Sequence, residues 1–358
     1  MASSFSAERL RYIDWLRGFA AVIMLQGHTF HSFAKPEIRD GGPYVLSQFV
    51  GGMPPAIFLF LLGVTLAFRM DGGQRRGAGA WERVSAALRR AGYLLSLAFL
   101  FRLQLWAFAG ASSPWTDLLR VDILNCMALA VAAFSTLGAF TTAERARLGA
   151  LLGLSVAAAA PVASQLHWHA APAMLQHYLA PDALEFGFFP WAAFLAFGVS
   201  AGSILRLVPE EQMDRLMQWG TLLGGGLIVG GRFFGDIPYS LYPASNFWLD
   251  SPALTLIKLG ILLWMLAFAY LWTRYAAPGW SWVAQLGATS LLVYWVHVEL
   301  VYGRWFDQWK DSMDVAPILA FTVLLTLAML GLSLIRTRGP EALRALFAWA
   351  PWPERSAE

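Results

Sequence analysis

The sequence predicts an all-α, polytopic integral membrane bundle of about ten transmembrane helices, with N- and C-termini cytoplasmic. Three observations predict it. First, 58% of the 358 residues are hydrophobic and only 14% charged, against about 25% charged in a soluble globular chain. Second, with 17 Trp and 25 Phe, the chain carries more apolar surface than a soluble fold could bury, so the bilayer must be the solvent. Third, basic residues gather in alternate loops. One side holds Arg9, Arg11, Arg69, Arg75, Arg76, Arg83, Arg89, Arg90, Arg145, Arg147, Arg206, Arg215, Arg274, Arg336, Arg338, Arg344 and Arg355. The other keeps Lys35, Arg39, Arg120, Arg232, Arg304 and Lys310, the bias expected when the richer side is cytoplasmic.

A span needs about 20 mostly apolar residues. Such runs fall near 14–34, 46–69, 91–110, 118–140, 147–165, 184–206, 217–234, 252–273, 282–303 and 315–336. The second begins beside Gly51, Gly52, Pro54 and Pro55, which predicts an irregular first turn. The seventh is interrupted by Gly224, Gly225 and Gly226, small residues that suit close helix packing. Residues 1–11 read as a cytoplasmic tail, 12–338 as one membrane domain, and 339–358 as a second cytoplasmic tail. The apolar run after the polar start has no small-residue cleavage site, so it reads as a retained span.

The net charge of +3 and pI near 9.1 come from arginines, with three lysines in the chain. Because those arginines sit in loops, they indicate membrane orientation and no nucleic-acid partner. The single cysteine, Cys126, excludes an intramolecular disulfide or a thiolate metal cluster within one chain. It reads as a small packed hydrophobe. His167, His169 and His177 fall on one loop, but no cysteine or helical spacing supports a zinc site. No metal is expected.

Ionisable residues inside spans are costly and mark function by default. Arg17 and His28 are eleven residues apart on the first span, which is three turns, so both point the same way about 16 Å apart. Asp14 and His31 share that broad face, and Asp14 can pair with Arg17. Depth at 1.5 Å per residue puts His28 and Arg102 on the order of 20 Å from the cytoplasmic side. Asp122, Asn125, Lys258, His297 and Glu299 enter from the other side. Each has a plainer reading: Lys258, Glu299 and Asp122 as snorkelling side chains, Arg102 as structural partner of Asp122, His28 as a histidine bonded to a carbonyl. Their shared depth argues for a water-accessible polar cavity in the outer half of the bilayer, where a neutral His28 could accept a proton.

The string RYIDWLRGFAAVIMLQGHTFHSF at 11–33, followed by PPAIFLFLLGVTLAF at 54–68, resembles the membrane acyltransferases related to heparan-α-glucosaminide N-acetyltransferase. It is also similar to the wider acyltransferase-3 group, which places an arginine, ten residues, then a histidine on its first helix. RRAGYLLSLAFLFRL at 89–103, VDILNCMAL at 121–129, FFPWAAFLAFGVSAG at 188–202 and SLLVYWVHVELVYG at 290–303 extend the resemblance over about residues 9–336.

The resemblance implies transfer of an acyl group, often acetyl, from cytoplasmic acyl-coenzyme A to a hydroxyl or amine on the other side. His28 would be base or acyl carrier, and Arg17 would position it or the donor. Arg102, Asp122, Asn125 and His297 would line the site, with Arg102 and Asn125 as oxyanion donors. Arg69, Arg75, Arg76, Arg89 and Arg90 would bind donor phosphates or merely fix topology. The short loops leave the acceptor open: a sugar, glycan or small molecule rather than heparan sulfate by default. The expected location is the plasma membrane, or the inner membrane of a Gram-negative bacterium. A transporter for an anionic or acylated molecule would use similar buried charges and is the rival reading.

Overall fold

The structure is a computed structural model that describes residues 2–109, 114–166, 168, 172–182, 185–237, 241–276 and 279–346. The described residues are almost entirely helical. In chain order the helices are α1 (Ala2–Phe33), α2 (Gly42–Gly51), α3 (Pro54–Arg75), α4 (Ala80–Ala109), α5 (Ile123–Ala133), α6 (Thr142–Gln165) and α7 (Ala173–Leu179). They continue with α8 (Phe188–Leu207), α9 (Met213–Asp236), α10 (Pro252–Leu271), α11 (Trp282–Ala288), α12 (Ser290–Tyr302) and α13 (Val315–Leu346).

Helix boundaries follow local chemistry. Pro54 and Pro55 open α3, where the missing N–H costs nothing, and the chain bends between Gly51 and Pro54 as the sequence predicts. Thr141 and Glu144 close a capping box on α6, and Asp122 and Asn125 close another on α5. Ser251 and Ser281 cap α10 and α11.

Six stretches are long and apolar enough to cross a bilayer: Gly42–Arg75, Ala80–Ala109, Thr142–Gln165, Phe188–Leu207, Pro252–Ala276 and Val315–Gly339. The protein is therefore a multi-pass membrane protein. Helices α1 and α9, 32 and 24 residues long, are more polar and do not meet that measure. Two expected spans take a different form. The run at 118–140 holds only the 11 residues of α5 and a short 3-10 turn over Ser135–Ala139. At 1.5 Å per residue α5 is about 16 Å long, half the hydrocarbon thickness. Its start is set by the Asp122 cap, which hydropathy does not register. The run at 282–303 is broken at Thr289 into α11 and α12.

Glycines set how closely the helices approach. A Cβ on Gly18 would stand 1.7 Å from the Val283 carbonyl oxygen, and one on Gly287 1.8 Å from that of Asp14. Backbones of α1 and α11 thus touch. Gly63 and Gly198 bring α3 onto α8 in the same way, with 2.1 and 2.0 Å to Leu195 and Phe60 carbonyls. Small residues are the means by which helices associate in lipid, where apolar burial gives no drive. Helix α1 lies at the centre, touching α2, α3, α10, α11, α12 and α13. Arg17 and His28 are thereby carried into the middle of the bundle.

Candidate active site

His28 meets His297 of α12 across 269 residues of chain, with Nδ1 and Nε2 2.9 Å apart and the rings stacked at 5.1 Å. His297 is fully buried. Its Nδ1 lies 2.7 Å from the carbonyl oxygen of Val293, one turn back. A carbonyl can only accept, so His297 Nδ1 carries the proton and its neutral ring presents a bare Nε2. His28 Nδ1 must then donate to that Nε2, which leaves the lone pair of His28 on its own Nε2. The hydrogen-bond network thus assigns the tautomer that a general base requires. The Tyr302 ring stands edge-on to His28 at 5.2 Å, and its hydroxyl lies 3.2 Å from His31 Nδ1.

Arg102 pairs with Asp122 at 3.3 Å, Nε to Oδ2, yet both atoms lack a well-aligned hydrogen bond. Asp122 Oδ1 accepts from the backbone N–H of Leu124 and Asn125. Asn125 accepts from the Asp122 N–H and donates to the Tyr178 hydroxyl at 2.8 Å. Its carboxamide therefore serves the α5 cap and Tyr178, and of the two expected oxyanion donors Arg102 is the more available.

A cavity of about 2000 Å³ opens at the arginine-rich end, and its walls do not include His28, Arg102, Asp122, Asn125 or His297, the residues expected around a polar cavity in the outer half. It exceeds the roughly 300–1,000 Å³ of drug-sized ligand sites. Its walls carry Arg17, Arg69, Arg75, Arg76, Arg83, Arg89, Arg90, Arg206 and Arg336 against one acid, Glu82. All five arginines expected to bind donor phosphates are there. So is Arg17, paired with Asp14 at 2.8 Å. The cavity runs inward to Ile123, Leu124, Tyr294 and Trp295. Those residues adjoin Asp122, Asn125 and His297 along the chain, while the histidines themselves do not line it.

The arginines are not equivalent. Asp71, 3% exposed, receives Arg206 Nε at 2.7 Å and Arg75 Nε at 2.8 Å on one oxygen. Thr142 donates to its other oxygen, and the fully buried Arg145 donates to Thr142 and Gln74. Arg83 donates to the Gly138 and Ala78 carbonyls. Arg69, Arg76, Arg89 and Arg90 form no ion pair among the described residues, and Arg90 lies near enough to Arg69 and Arg17 to feel their charge. Clustered like charges without counter-charge are favourable only with an anion between them.

Lys258 and Glu299 do not join the histidines. Lys258 Nζ sits 4.8 Å over the Trp191 ring, and Glu299, 7% exposed, accepts from Trp305. Among the described residues no cluster of three or more His, Cys, Asp or Glu could hold a metal. His167 and His169 lie outside the described residues, and His177 pairs with Glu185 at 2.6 Å. Cys126 is buried and free. Sequence reasoning missed Arg206 and Arg336 as parts of the cavity, Asp71 as the acid that holds two of its arginines, and Tyr294 altogether. Arg206 and Arg336 carried a signal, since both belong to the basic side, whereas Asp71 and Tyr294 carried none.

The family model described as heparan-alpha-glucosaminide N-acetyltransferase, catalytic, matches residues 9–232, more than half the chain. That interval includes Arg17, His28, Arg102, Asp122 and the arginines from Arg69 to Arg90, but stops short of Tyr294 and His297. No curated protein matches the sequence. An arginine-walled chamber stands beside the His28–His297 pair, and on the match this chain belongs to the heparan-alpha-glucosaminide N-acetyltransferase catalytic-domain family.

Proposed function

We propose that this protein is a membrane acyltransferase that moves an acyl group, acetyl above all, from acyl-coenzyme A to a hydroxyl or amine of a sugar or related acceptor. The donor enters from the arginine-rich face, which the charge bias makes cytoplasmic, with both termini on that side. The acceptor comes from the opposite face, and the location is the plasma membrane or its Gram-negative inner-membrane equivalent. The observation that carries the reading is the 2.9 Å contact of His28 Nδ1 with His297 Nε2, which leaves His28 Nε2 free, near the inner end of the arginine cavity.

Phosphates of the donor engage Arg69, Arg76, Arg89 and Arg90, the cations without a protein counter-charge. Arg75 and Arg206, fastened to Asp71, shape the wall. The pantetheine arm then runs past Arg17 toward Tyr294 and Leu124. His28 Nε2 removes the proton of the acceptor as it attacks the thioester carbon. His297 keeps His28 Nδ1–H in place and shares the imidazolium charge. Arg102, held by Asp122, stabilises the developing oxyanion. Direct transfer is favoured over an acyl-histidine because the same nitrogen cannot hold both the acyl group and the acceptor's proton.

The test is release of free coenzyme A from acetyl-coenzyme A by the purified protein in lipid, with and without sugar acceptors, beside His28→Ala. Release by the wild type and its loss in the variant support the reading. Substrate flux across vesicles with no coenzyme A release by either protein would replace it with a transporter.

A further inference from the structure

Tyr294 stands where the cavity and the histidine pair meet. Its side chain lines the arginine cavity. Its ring centroid lies 5.9 Å from that of His297 and 5.2 Å from that of Phe101. Arg102 and Asp122 are close enough for their charges to act on the phenol. The residue is half-buried. Its hydroxyl is neither sealed away nor hydrogen-bonded to any described residue. A tyrosine hydroxyl inside a protein usually finds a partner, so this one is available to whatever occupies the inner end of the cavity.

Building on the acyl-transfer reading, we propose that Tyr294 is a further catalytic residue: the acid that protonates the departing coenzyme A sulfur. As His28 Nε2 takes the acceptor's proton, the acceptor atom bonds to the thioester carbonyl carbon. The C–S bond then breaks with its electron pair on sulfur, and the Tyr294 O–H proton passes to that sulfur. The products are the acylated acceptor and the free thiol. Water returns the proton held on His28 to the tyrosinate, whose charge Arg102 offsets in the interval, and both side chains end as they began. Passing the proton as the C–S bond breaks avoids leaving an unpaired thiolate charge in a site shielded from water, where such a charge is costly.

Tyr294→Phe keeps the ring and its contacts while removing the proton. With acetyl-coenzyme A, kcat should fall about 10²-fold, the low end for general acid catalysis, with KM for the donor unchanged. With an aryl thioester as acetyl donor, whose thiol is acidic enough to leave unprotonated, variant and wild type should turn over at nearly the same rate. Unchanged kcat on acetyl-coenzyme A, a change confined to KM, or equal losses on both donors would each overturn the assignment, the last by showing a structural role. The two readings fail separately. An inactive His28→Ala beside a fully active Tyr294→Phe removes only the tyrosine, whereas a wild type that releases no coenzyme A removes both.

Discussion

Replacing His297 tests the site at its least obvious joint. His297→Phe keeps a ring on α12 but removes the nitrogen that accepts from His28 Nδ1 at 2.9 Å. The bond is neutral, so it contributes about 0.5–1.5 kcal/mol to holding that tautomer. At about 1.4 kcal/mol per tenfold, its loss cuts the population with a free Nε2 lone pair by up to roughly tenfold. The ring also loses its orientation, and small misplacements of a catalytic group are costly. Together kcat should fall by about 10–10²-fold, less than the roughly 10²–10⁴-fold expected when His28 itself is removed. His297→Gln restores an acceptor at similar reach and should recover much of the activity. The assay is initial-rate thiol release at saturating acetyl-coenzyme A, with the donor KM measured in parallel as a check that the cavity is intact. Full activity in His297→Phe would refute the tautomer argument, and so would a His297→Gln variant no better than His297→Phe.

Other predictions follow from the cavity and the packing. Arg89→Ala with Arg90→Ala removes two cations that no described acid neutralises. At about 1.5–3 kcal/mol for each charge-assisted bond, the donor KM should rise at least about 10²-fold with kcat little changed, and an unaltered KM would return both residues to topology alone. Asp71→Asn keeps the acceptor for Thr142 but releases Arg75 and Arg206. The melting temperature in detergent should drop by the equivalent of about 1–3 kcal/mol, and the donor KM should change as two freed guanidinium groups enter the cavity. Gly63→Ala sets a methyl 2.1 Å from the Leu195 carbonyl and should cost about 1–3 kcal/mol or more by forcing α3 and α8 apart. Gly92→Ala, with open space around the new methyl, should be neutral or raise stability by about 0.5–1 kcal/mol. Equal melting temperatures for the two alanine variants would contradict the packing described.

Helices stand wherever the sequence carries a long apolar run, because hydropathy and the 3.6-residue repeat are local properties. The bend before Pro54 and the shared face of Arg17 and His28 are local too, and so is the crowding of arginines at one end, since the positive-inside bias acts loop by loop. What failed at 118–140 and 282–303 failed for a reason hydropathy does not contain. The Asp122 cap delays the start of one helix to Ile123, and the other run divides at Thr289.

Arg17 and His28 stood out in the sequence because their spacing can be read along one helix. The partnership of His28 with His297, 269 residues away, could not be read so, because it depends on how α12 docks against α1. The same holds for the division among the arginines. The loop charges gather arginines at one end, but only packing brings Asp71 to two of them and leaves others without counter-charge. Local sequence thus determined which segments are helical, which end is basic and which histidine is exceptional. Tertiary structure alone decided which nitrogen of that histidine is free, which arginines are uncommitted, and that Tyr294 lies between them. Those outcomes depend on ångström-scale distances between distant segments, and no periodicity along one chain encodes them.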